Sequence, residues 1–76
     1  MKAYLLIETR PGTSEDVVKA IKMRFENVLH ADSVYGRHDV IVVLEAPDLE
    51  SLNELVYKVI EKDPNIVHTE TAITLF

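Results

Sequence analysis

Seventy-six residues allow a single domain with a small core. The chain is 47% hydrophobic and 28% charged, which excludes a disordered polymer; its 13 acidic and 8 scattered basic residues, net charge −5, argue against direct nucleic-acid binding. The absence of cysteine excludes disulfides and thiolate zinc sites.

Ala3 to Glu8 is a short apolar run closed by Arg10-Pro11-Gly12, a turn signal, and reads as a first strand. Thr13 or Ser14 is placed to cap a helix, with Glu15 and Asp16 at its positive end. Val17, Ala20, Ile21 and Phe25 follow at helical spacing, so the helix is expected from about Ser14 to about Glu26. Val28 to Tyr35 then mixes β-branched and aromatic residues in partial alternation, and Asp39 to Ala46 is nearly all aliphatic. Two such runs joined through Gly36 predict a β-hairpin, with the glycine supplying a positive φ at the bend.

Pro47 breaks that strand and Asp48 is placed as a helix cap. Leu52, Leu55, Val56, Val59 and Ile60 make an apolar stripe at helical spacing, and Pro64 ends the helix. From Ile66 to Phe76 the pattern alternates, with Val67, Thr69, Thr71, Ile73 and Leu75 on one side and His68, Glu70, Ala72 and Thr74 on the other.

The order β-α-β-β-α-β over residues 1–76 predicts an α+β domain of ferredoxin-like type: a four-stranded antiparallel sheet with two helices on one face. No helix remains for the second face. Leu5-Leu6-Ile7 and Val40 to Leu44 nevertheless carry apolar residues at consecutive positions, so that face needs a cover. A small domain without disulfides tends to self-associate, and a sheet-to-sheet dimer is the simplest cover. No apolar run is long enough to span a bilayer, and no small-residue cleavage pattern follows Met1-Lys2, so the expected setting is the cytoplasm with no membrane partner.

Two motifs carry possible chemistry. In Tyr35-Gly36-Arg37-His38-Asp39, loop groups and a carboxylate converge at a strand end, where they can hold an ammonium group or frame a carboxylate. A tight turn capped by Asp39 explains the same residues without a ligand. In His68-Thr69-Glu70-Thr71, two hydroxyls share a face, although threonine is also an ordinary strand residue. Catalytic constellations are weak: there is no nucleophile elbow and no phosphate-cradling glycine loop. His30, His38 and His68 lie far apart with no metal-ligand spacing, so neither a metal nor a cofactor is expected.

The Gly36-x-x-Asp39 turn, the aliphatic strand after it, the acid-capped helix and the Thr69-Glu70-Thr71 strand together resemble the effector domain of the Lrp/AsnC, or feast/famine, regulators, also called the RAM domain. The resemblance covers the whole chain and is of a stand-alone form, without the helix-turn-helix that full-length members carry. It implies dimers paired through their sheets and assembled into rings, such as an octamer of four dimers, with amino acids bound at contacts between dimers. On that basis the ligand-binding residues are Tyr35, Gly36, Arg37, His38, Asp39, Thr69 and Thr71. Asp39 meets the ammonium, the Gly36–His38 backbone frames the polar end, and the two threonines add hydrogen bonds; apart from the resemblance, Arg37 and His38 are expected to face a neighbouring subunit. Asp63-Pro64-Asn65-Ile66 departs from the glycine common before the last strand, and His38 stands where an aromatic often precedes the aspartate. The expected function is a non-enzymatic amino-acid sensor that modulates transcription indirectly, by co-assembly with full-length regulators or by buffering the effector. The alternatives are a small dimeric monooxygenase or isomerase using one histidine, and an ACT-like allosteric module.

Overall fold

The computed structural model describes residues 1–76. Six elements follow in the expected order: β1 (Lys2–Thr9), α1 (Ser14–Arg24), β2 (Val28–Ser33), β3 (Val40–Glu45), α2 (Leu49–Lys62) and β4 (Ile66–Ile73). All pairings are antiparallel and the strand order is β2-β3-β1-β4, which places β1 and β3 centrally. No helix is long and apolar enough to cross a membrane.

Strand periodicity divides the sheet into two unlike faces. Ala3, Leu5 and Ile7 stand opposite Leu44, Val42 and Val40, and all six are fully buried. They join Val17 and Ile21 of α1 and Leu52 and Val59 of α2 in one core cluster, so both helices lie over this side. The intervening residues Tyr4, Leu6, Ile41 and Val43 pair with one another on the opposite side and stay only half-buried or exposed. This second face has no cover within the chain.

Several termini differ from the sequence expectation for local reasons. Helix α1 stops at Arg24 because Phe25 turns extended (φ −127°, ψ 116°), which packs its ring against the core. Its N-cap is Thr13, but the hydroxyl donates back to the Arg10 carbonyl at 2.7 Å instead of accepting from a helix amide. Asp48 caps α2 as expected, accepting from the Ser51 N–H at 2.8 Å. That amide, and then the Ser51 hydroxyl, hold the Asp48 carboxyl below its ordinary range against a small opposing effect of burial. At the other end of α2, Arg24 Nη1 donates to the Lys62 carbonyl at 3.1 Å, a cation placed on the negative helix terminus. The buried Asp63 accepts from the Asn65 N–H at 3.0 Å, so the Asp63-Pro64-Asn65 turn is held without a glycine.

The glycine expectation is corrected. Gly36 does not take positive φ; Gly12 does, at +79°. Thr13 N–H donates to the Arg10 carbonyl at 3.2 Å across Pro11-Gly12, which makes a type II turn with proline and glycine at its central positions. The β2–β3 connection runs six residues, Val34 to Asp39, between strand ends at Ser33 and Val40, long enough to reverse without a left-handed residue. A Cβ added at either glycine meets nothing within 4 Å, so backbone conformation alone separates them. Gly12→Ala is expected to destabilise the chain by about 1–2 kcal/mol, and Gly36→Ala to change its stability by less than about 0.5 kcal/mol. Urea unfolding midpoints of the two variants check this; equal shifts would refute the assignment.

Candidate functional site

Three connections gather at one end of the sheet: the Arg10–Thr13 turn, the Val34–Asp39 loop and the Asp63–Asn65 turn. Arg10 ties two of them. Its N–H donates to the Asn65 carbonyl at 2.8 Å and its Nε to the Pro64 carbonyl at 3.1 Å. Ser14 and Ser33 share a hydrogen bond of 2.9 Å between their hydroxyls, which links the start of α1 to the end of β2.

Asp39 anchors the loop to β1. Its N–H donates to the Ile7 carbonyl at 2.9 Å, its carbonyl accepts from Val34 N–H at 2.9 Å, and its Oδ2 accepts from Thr9 N–H at 2.8 Å. That last bond falls where the β1–β4 register shifts between Glu8 and Thr9, so the carboxylate satisfies an amide freed by the bulge. The carboxylate is therefore a latch across strands as well as a candidate ammonium partner, with only Oδ2 engaged by the protein.

The other candidate residues are placed unequally. Tyr35, Gly36 and Arg37 are exposed at the loop tip, whereas His38 and Asp39 are half-buried. Thr69 and Thr71 stand opposite Ile7 and Leu5, and so lie on the helix-bearing side of edge strand β4. Thr69 is half-buried near the loop; Thr71 is exposed and two residues farther from it. Asp39 and Thr69 thus flank Ile7 from opposite sides, one bonded to its carbonyl and the other as its strand partner.

The fold also brings forward residues outside the nominated set. His38 Nε2 lies 3.8 Å from Glu70 Oε2, and His68 Nε2 lies 3.9 Å from Glu70 Oε1. The alternation of β4 signals that His68 and Glu70 share a face, but only strand order reveals that His38 meets them across β1. No group of three or more histidine or carboxylate side chains stands in a metal-holding arrangement.

Two surface depressions are present, and neither includes a candidate residue. One of about 260 Å³ is lined by Asn27, Ala46, Pro47, Ser51, Leu55 and neighbours, at the opposite end of β3 from the loop. The other, about 510 Å³, runs along α2 at Asn53, Tyr57, Lys58 and Glu61.

The family model described as Lrp/AsnC ligand binding domain matches residues 2–75. A hypothetical protein from Pyrococcus horikoshii is 31% identical, with a TM-score of 0.88 over 99% of this chain and 89% of its own. The protein FFRP-DM1 is likewise 31% identical, with a TM-score of 0.87 over 97% of each chain. A transcriptional regulator of Neisseria meningitidis, solved as a complex with L-Met, shares the fold at 13% identity, with a TM-score of 0.83 over 99% of this chain and 49% of its own. No curated protein matches the chain.

Proposed function

Since this chain belongs to the Lrp/AsnC ligand-binding domain family, we propose that it is a regulatory domain that binds a free amino acid, self-associates and modulates transcription indirectly. The observation that carries this reading is the meeting of the Asp39 loop and the Thr69 strand on either side of Ile7. Asp39 keeps Oδ1 free of protein hydrogen bonds and offers it to an ammonium group; Thr69 and Thr71 offer hydroxyls, and the backbone from Gly36 to His38 offers amides for a carboxylate. The L-Met complex of the neisserial regulator supports an amino acid as the ligand class.

Binding needs walls that one chain lacks. The candidate residues line no depression, and Tyr35 and Arg37 extend into solvent, so a second copy completes the pocket. The uncovered sheet face supplies a first mode of pairing and the loop end a second, which suits rings of dimers. Full-length family regulators are the proposed partners, reached through the same sheet contacts, in the cytoplasm. A binding role is favoured over catalysis because no buried nucleophile or general base stands at this end of the sheet: the half-buried His38 approaches Glu70, and Asp39 is held by the Thr9 amide.

Calorimetric titration of the purified chain with each common amino acid is expected to give binding heat for at least one, lost or weakened at least about 10-fold in Thr69→Val, whose missing hydroxyl is one hydrogen bond to the ligand. Light scattering on the same samples is expected to report a change of assembly. No heat from any amino acid, with assembly unchanged, overturns the proposal.

A further inference from the structure

We propose that Leu75 and Phe76 form an arm that packs against the uncovered sheet face of a second copy of this chain. The inference rests on the pairing through that face put forward above, and it needs no bound amino acid.

The face by itself is too small an apolar surface to hold a pair. Its middle is Tyr4, Leu6, Ile41 and Val43, with Ala72 at the margin beside Tyr4. Leu6, Ile41 and Val43 are already half-covered within their own chain, which leaves Tyr4 as the one large exposed side chain among them. Glu8, Asp32, Glu45 and Glu70 stand around this middle on the same side. Carboxylates are costly to bury, so they belong to the wet rim of a contact and not to its centre. A specific interface takes roughly 20–30 residues and about 800 Å² from each partner. The apolar middle falls well short of that.

The missing apolar area stands next to the face. Strand β4 ends at Ile73, and Thr74 is then tied twice to one oxygen: its N–H donates to the Lys2 carbonyl at 3.0 Å and its hydroxyl at 2.9 Å. These bonds fix where the chain leaves the sheet, at the corner next to Tyr4 and Ala72. Leu75 and Phe76 follow, with both side chains almost wholly exposed. An aromatic side chain buries about 150–250 Å², and two-fold symmetry uses each arm once per copy. The two phenyl rings would thus contribute roughly 300–500 Å² to an interface of about 1,200–2,000 Å².

The arm is long enough. Sheets packed face to face lie about 10 Å apart. Two extended residues span at most about 7 Å, and the phenyl ring covers the rest. Met23 is comparably exposed, but it lies on α1, on the helix-bearing side of the sheet. It therefore serves as the control.

The test uses the full chain in sedimentation over a micromolar dilution series. Phe76→Ser is expected to weaken pairing at least about 10-fold, as loss of an interface anchor does. Met23→Ser should leave it unchanged. Neither side chain belongs to the core, so both variants should keep the parent's circular dichroism spectrum. The chain has no tryptophan, so Phe76→Trp places a single fluorescent reporter on the arm. Its emission is expected at the shorter wavelength of a buried indole while copies are paired. Dilution, or addition of Val43→Glu, should move it to the wavelength of an indole in water. If the parent pairs but Phe76→Ser pairs equally well, or the indole emits as in water throughout, the arm is overturned and pairing through the strands stands. A parent that stays a single chain at every concentration overturns the self-association and the arm together.

Discussion

Leu5→Ala is expected to unfold most of the protein at room temperature in dilute solution. Leu5 lies in central strand β1 between Val42 and Thr71, fully buried in a cluster that joins both helices. Truncating a buried leucine costs about 2–5 kcal/mol through lost transfer energy and the cavity left behind. A single core in a chain of this size rarely supplies more than roughly 3–5 kcal/mol of net stability. The two magnitudes are comparable, so one substitution removes nearly the whole margin. Far-ultraviolet circular dichroism with urea titration would read this as loss of the folded baseline. Tyr57→Ala, on the exposed side of α2, should stay within about 0.5 kcal/mol of the parent. A Leu5→Ala chain with an unshifted urea midpoint would mean that stability resides elsewhere, above all in contacts between copies.

That comparison follows from how the sequence specifies the fold. Periodicity made both helices and all four strands legible, because a residue's burial depends first on which face it occupies. The two faces of β1 and β3 were legible for the same reason: consecutive aliphatic residues imply burial on both sides, and the chain holds helices for only one. Endpoints were less legible, since tertiary packing decides them. Tyr35 has strand propensity, yet it lies in the loop, fully exposed, because Val34 bonds to Asp39 and closes the hairpin before it. Gly36 looked like the bend because glycine permits positive φ, but a six-residue loop does not demand it, and the tighter Pro11-Gly12 turn does.

The candidate site divides along the same line. Which side of β4 carries Thr69 and which carries Glu70 is a matter of alternation, readable from one strand alone. That Asp39 latches onto the Thr9 amide, or that His38 meets Glu70, depends on pairing between strands distant in the chain. No local pattern encodes that register. The motif therefore points to the threonines, whereas the approach of His38 to Glu70 depends on β1 lying between the loop and β4.

Val43→Glu is expected to leave the single chain folded and to abolish its pairing through the sheet. Val43 sits at the middle of the uncovered face, opposite Tyr4 on one side and His30 on the other, with Leu6 and Ile41 paired one step along the strands. In an isolated chain the new carboxylate points into water, beside the exposed His30, and disturbs none of the buried core. In a face-to-face pair related by two-fold symmetry the same carboxylate is buried twice, near its own copy. Burying an uncompensated charge costs several kcal/mol even after relaxation, and each 1.4 kcal/mol is tenfold in affinity, so dimerisation should weaken by roughly 100-fold or more. Sedimentation at micromolar concentration would then show a single chain with an unchanged circular dichroism spectrum, where the parent sediments as a dimer or larger. Lys58→Glu, on the far side of α2, controls for charge alone and should leave assembly intact. Should the parent itself sediment as one chain, or Val43→Glu assemble as the parent does, the uncovered strands would not be the surface that brings copies together. The pocket proposed at the loop end would then have to find its walls in another molecule.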